Sequence, residues 1–172
     1  MVEIAPFLAY DFPSTTVYAL WFLLGSFAVS GLSDLRRMSA QREFMEVWIL
    51  FTAAVFVLDA WRVYNGADLI VHGVKWALIL LAGLFSWRGV GGLFRLARGD
   101  VWAIVAVCSL FNPLFVVLYM AVLKVTDIIT APLFRRFGSG GAYPFIPAVL
   151  IATLITVAVI LADVVGRAIG RL

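Results

Sequence analysis

The chain carries ten acidic residues. Those that could do chemistry are the ones placed against apolar runs, because a charge at membrane depth is costly and usually functional. Asp34 closes the first apolar run and Asp100 opens the fourth, 66 residues later. Two carboxylates that share a site cannot both ionise easily, so one of them keeps a proton. An aspartic dyad that hydrolyses a peptide needs that arrangement: one carboxylate draws a proton from water while the other donates to the carbonyl oxygen. The same two residues also read as interfacial charges reaching into lipid headgroups. Spacing alone leaves both readings open.

The elements that must position them follow from composition. Apolar residues make up 64% of the 172 positions and charged residues 13%, about half the roughly 25% of soluble domains. The mean hydropathy is +1.06. An ordinary soluble domain is excluded, and so is a disordered chain, which needs the opposite balance. The expectation is an all-α, polytopic membrane protein forming one domain over residues 1–172, with the lipid bilayer as its surroundings. A spanning helix takes about 20 apolar residues, so a six-helix transmembrane bundle fits the length with short loops. The single cysteine, Cys108, excludes an internal disulfide and a cysteine-cluster zinc site. No metal or organic cofactor is implied. The net charge of +3 reads as loop charge that sets orientation, not as a nucleic-acid surface. Residues 1–16 hold no Lys or Arg and place Glu3 and Asp11 ahead of the first apolar run, which is unlike a signal peptide.

Six apolar stretches are separated by charge or by Gly and Pro breaks. They run from about Thr16 to Ser33, Phe44 to Trp61, Leu69 to Trp87, Asp100 to Phe111, Leu114 to Ile129 and Pro144 to Val165. The fourth is short. Asn112-Pro113 either ends it or kinks one long helix from Val101 to Leu123. Charge favours six separate helices with the N-terminus outside. The cytoplasmic segments then hold Arg36, Arg37, Arg42, Arg88, Arg95, Arg98, Lys124, Arg135 and Arg136, against Arg62, Lys75, Arg167 and Arg171 outside. In this frame Trp48, Trp87 and Trp102 fall near inner ends and Trp21 and Trp61 near outer ends, as members of interfacial aromatic belts.

The residues around the two aspartates carry a resemblance. Ser33-Asp34-Leu35-Arg36-Arg37 closes the first helix, Ala97-Arg98-Gly99-Asp100 opens the fourth, and Pro144-Phe145-Ile146-Pro147 opens the last. In order and spacing, over nearly the whole chain, this resembles the prepilin peptidase family, in particular its short archaeal branch of preflagellin and prepilin peptidases. The resemblance implies a six-helix intramembrane aspartic protease with Asp34 and Asp100 as the catalytic pair. It further implies a type IV pilus or archaellum precursor as substrate: a hydrophobic pilin-like helix behind a short basic leader that is removed at the cytoplasmic face of the cell membrane. Three positions depart from the family pattern. Ala97 replaces the first glycine of Gly-x-Gly-Asp, Trp102 stands where a lysine is common, and no proline closely follows Asp34. A non-enzymatic membrane subunit, for transport or assembly, or an inactive relative, is the alternative.

By helix dipole, Asp100 at a helix start is favoured as the carboxylate base and Asp34 at a helix end as the proton donor, with Arg36 and Arg37 acting the other way on Asp34. Glu43, Glu46 and Gly99 are candidates for contacting the substrate, the two glutamates by attracting a basic leader; the glutamates read equally as partners of Arg42. Asp127 is a candidate auxiliary group or a local partner of Lys124. Asp163 with Arg167, and Asp59 with Arg62, read as pairs on one helix face. His72 reads as a lone loop histidine. The Gly89–Gly99 segment, interleaved with arginines, is expected to be irregular and the most mobile part near the aspartates. Reporter fusions after Arg42, Asp68, Arg95 and Gly140 should read in, out, in and in; an outside reading at Gly140 would favour the five-helix alternative.

Overall fold

The computed structural model describes residues 14–37, 42–90, 92–94, 96–134 and 144–169, with the side chains of residues 14, 34–37, 134 and 163–169 outside the described part. The fold is all-α. Its helices are α1 (Ser14–Arg37), α2 (Arg42–Tyr64), α3 (Leu69–Ser86), α4 (Arg98–Ser109), α5 (Pro113–Phe134) and α6 (Ile146–Ile169). Four of them, α1, α2, α3 and α5, are long and apolar enough to cross a membrane. In α6 the apolar helical run is Ile146–Ala162. The outward faces are as apolar as the core: Tyr18, Trp21, Leu50, Val57, Leu80, Ile128 and Ile129 are all exposed. A helix that is hydrophobic all round belongs in lipid or deep in protein, and the chain is read as a membrane protein on this ground.

Local chemistry explains where the helices stop. α2 ends in a Schellman turn. The Ala67 N–H donates to the Arg62 carbonyl at 2.9 Å and the Gly66 N–H to the Val63 carbonyl at 3.0 Å, with Gly66 at φ +98°, a conformation that favours glycine. Two residues on, the Asp68 carboxylate caps α3 by accepting from the Ile70 and Val71 amides at 2.8 and 3.4 Å. Asn112-Pro113 separates α4 from α5 as two helices, with Pro113 as the first residue of α5, where its missing N–H leaves no bond unmade. α6 begins two residues later than the sequence suggests. Pro144 and Phe145 lie buried ahead of it, and the Phe145 carbonyl accepts the Ala148 and Val149 amides.

α4 has 12 residues, about 18 Å, which is too short to span the roughly 30 Å hydrocarbon core alone. It need not do so, because it packs against each of the other five helices. Ala103, Ile104, Ala106, Val107, Cys108 and Ser109 are all buried. Close approach depends on small residues. A Cβ at Gly83 of α3 would meet Val105 of α4 at 3.2 Å, and one at Gly31 of α1 would meet Pro147 of α6 at 3.6 Å. Buried hydroxyls bond to carbonyls of their own helices: Thr52 to Trp48, Thr130 to Thr126, Thr153 to Val149 and Thr156 to Ala152. That satisfies them where no water competes.

Trp48 departs from the interfacial expectation. Its ring is fully buried, 5.2 Å from the Phe27 ring, and its indole N–H donates to Ser26 Oγ at 3.0 Å. The Ser26 acceptor on α1 is what draws a tryptophan of α2 inward, since a buried indole needs a partner. Trp21 and Trp61, at 70% and 64% exposure, face outward as expected. Truncating Trp48 to Ala should therefore destabilise the bundle by about 3 kcal/mol, and truncating Trp61 to Ala by less than about 1 kcal/mol, as measured by reversible unfolding in mixed detergent micelles.

Candidate active site

One end of the bundle gathers the end of α1, the start of α4, the connection from 87 to 97, Lys124 in the middle of α5 and the entry to α6. Pro147 and Ile146 lie against Gly31, three residues before Asp34. The Phe145 ring packs on Phe94 with centroids 5.5 Å apart. From α5, the Lys124 ammonium donates to the Leu93 carbonyl at 2.8 Å and stands 4.8 Å from the Phe94 ring centre. All three contacts hold the same end of the molecule together.

The connection into α4 is irregular, as its glycines suggest, but it is closely held. The Leu96 N–H donates to the Ser86 carbonyl at 2.8 Å and the Arg88 N–H to the Leu96 carbonyl at 3.0 Å, an isolated bridge pairing Trp87 with Leu96. Gly92 and Leu93 both donate to the Phe85 carbonyl at 3.1 Å, and Leu96 is buried in the core. The chain thus doubles back over the end of α3 before α4 starts.

Asp100 lies in the first turn of α4, half-buried, where the helix dipole favours a carboxylate. Gly99, also half-buried, precedes it. Asp34 lies in the last turn of α1, and its side chain is outside the described residues. Leu20, Leu23, Phe27 and Ser30 form the buried face of α1. α1 and α4 pack on each other. The two positions therefore stand on packed helices at one end of the bundle. Ser30 Oγ, one turn before Asp34, is fully buried with no hydrogen-bond partner among the described residues.

The remaining candidates scatter. Glu43 and Glu46 lie in the first turns of α2, both exposed, and Glu46 accepts from Arg42 Nε at 2.8 Å. Asp127 is buried near the end of α5, with Lys124 Nζ 3.9 Å from its carboxylate, the local partner that its spacing suggests. The side chains of Asp163 and Arg167 fall outside the described residues. Among the described residues no three metal-ligating side chains come together.

No protein family, characterised protein or solved structure matches the chain.

A second cluster of charge went unread in the sequence. Asp59 of α2, only 3% exposed, accepts from Lys75 Nζ of α3 at 2.6 Å and from Trp76 Nε1 at 3.1 Å on one carboxylate oxygen. Arg62 and His72 Nδ1 each stand 3.7 Å from the other oxygen. So the expected Asp59–Arg62 pair is the looser contact, Lys75, counted among the outer charges, is buried and paired with Asp59, and His72 belongs to α3 rather than a loop. The signal was available. Asp59 and Lys75 are each eight residues from Ala67 in the turn, so an antiparallel hairpin sets them opposite. Removing one partner of a buried pair leaves an uncompensated charge and should cost about 3–5 kcal/mol for Lys75→Met, most of it recovered in the Asp59→Leu/Lys75→Met double variant. Circular dichroism during detergent unfolding measures both.

Proposed function

We propose that this protein is an intramembrane aspartic endopeptidase that removes the short basic leader from type IV pilin-like precursors at the cytoplasmic face. The observation that carries the reading is the seat of the Pro144-Phe145-Ile146-Pro147 stretch. Pro147 packs on Gly31, just ahead of Asp34, and Phe145 packs on Phe94, in the segment that leads to Asp100. The three motifs that resemble the prepilin peptidases, far apart in sequence, are thus neighbours at one end of the bundle.

In this reading the ionised carboxylate takes a proton from water, the resulting nucleophile attacks the scissile carbonyl carbon, and the protonated carboxyl donates to the carbonyl oxygen. Collapse of the tetrahedral intermediate returns a proton to the leaving amine. The first-turn position of Asp100 favours it as the base, and the last-turn position of Asp34 favours it as the acid. Glu43, exposed at the start of α2, offers a carboxylate to a basic leader, whereas Glu46 is engaged with Arg42. Ala97 keeps a small residue in the motif. Trp102, in place of the lysine common in the family, is half-buried on α4.

The Asp59–Lys75–His72 cluster favours a second reading, since buried ionisable groups between membrane helices also serve transport. Co-expression with candidate precursors separates the two. Asp34→Asn and Asp100→Asn should each abolish the gel shift of leader loss while expression persists, because the amide is nearly isosteric but cannot shuttle a proton. Cleavage surviving in either variant would sink the peptidase reading. Uptake or efflux lost in Asp59→Asn, in a protein that cleaves no precursor, would establish the other.

A further inference from the structure

α2 and α3 leave their turn tied together. The Asp59–Lys75 pair joins them, and Phe56 meets Trp76 edge-to-face with ring centres 5.0 Å apart. Towards the Asp100 end the two helices part, and each packs on α4 instead. What remains between them is a groove of about 590 Å³, floored by Val101, Trp102 and Val105 of α4. Its walls are almost wholly apolar. Thr52 is one polar residue on them, and its hydroxyl already donates to the Trp48 carbonyl. Trp76 is another, and its N–H is held by Asp59. Arg98 is the one charged residue in the lining.

Arg98 stands exposed at the end of the groove where α4 begins, and among the described residues it forms no salt bridge. Arg88 lies outside the lining but close to the start of α4: its N–H donates to the carbonyl of Leu96, two residues before Arg98, and its side chain is exposed. Trp87 and Trp102 line the same end. Arginine and tryptophan together at the mouth of an apolar slot match a lipid headgroup above an acyl chain.

We propose that this groove binds an anionic phospholipid, with an acyl chain along Phe56, Trp76 and Leu80 and the phosphate at Arg98 and Arg88. Charge decides the occupant. A hydrophobic precursor helix would bring its basic leader to the end where two arginines already stand, and like charges there repel. A zwitterionic lipid gains no net attraction from them. The lipid site is independent of the peptidase reading. It adds to that reading one connection, because Arg98 and Asp100 share the first turn of α4 and a phosphate held at Arg98 steadies that turn.

The test uses the full-length protein in detergent, with native mass spectrometry after addition of phosphatidylglycerol or phosphatidylcholine of matched chains. Phosphatidylglycerol should be retained as a single bound molecule, preferred by roughly thirtyfold, as expected for two arginines near an anionic group. Arg88→Gln/Arg98→Gln should abolish the headgroup preference while circular dichroism stays unchanged. Ala53→Trp, which fills the groove without touching its charges, should lower retention of both lipids. Equal retention of the two lipids by the unaltered protein, or an unchanged preference in the arginine variant, overturns the proposal. Displacement of the lipid by a leader-bearing precursor peptide would also overturn it and assign the groove to substrate.

Discussion

A helix too short to cross the membrane sits where every other helix must touch it. α4 has no face to spare for lipid except along the groove, and from Ala103 to Ser109 nearly every side chain is enclosed. In a bilayer the apolar tails are as apolar as leucine, so burial alone does not gather helices. What holds these six together is close contact through small residues, as where Gly83 meets Val105 and Gly31 meets Pro147. It also depends on placing irregular backbone only where protein surrounds it. The break at Leu110–Asn112 obeys this rule. Phe111 is fully buried there, and the Leu110 and Phe111 amides return to Val107 and Cys108.

Much of this was legible in the sequence. The apolar runs, the Asn112-Pro113 break and the glycine-rich break before α4 locate all six helices, because the residues that end a helix do so by local backbone chemistry. The positions of Asp34 and Asp100 at helix ends follow from the same boundaries. The inward and outward faces were not legible. In a soluble helix polarity marks the exposed side, but α2 carries apolar residues on both, so Trp48 and Trp61 look alike until an acceptor on another helix distinguishes them. The Asp59 cluster was missed for a related reason. Arg62 lies three residues away on the same helix, and the nearer partner, Lys75, becomes visible only when the hairpin is folded about Ala67.

The two charged regions divide the molecule's length between them. At one end Asp59, Lys75, Trp76 and His72 clamp α2 to α3. At the other, Lys124 fixes the connection through Leu93 and Phe94, and the Pro-Phe-x-Pro entry of α6 closes over α1. Between these anchors α2 and α3 are free to part, and α4 occupies the space. The clamp and the groove are thus two results of one geometry: helices joined at the turn and separated by a third.

The length of α4 has a consequence for the membrane itself. α5 continues for ten residues beyond Lys124, about 15 Å, and its outward residues there, Ile128, Ile129 and Leu133, are apolar and exposed. Hydrocarbon therefore reaches full thickness beside α5 but meets only a twelve-residue floor where the groove opens. That is a hydrophobic mismatch confined to one side of the protein. Local thinning of the bilayer is one way in which such a mismatch is accommodated. Under the proposed peptidase reading, thinning of this kind would bring the aqueous phase closer to Asp100 in the first turn of α4.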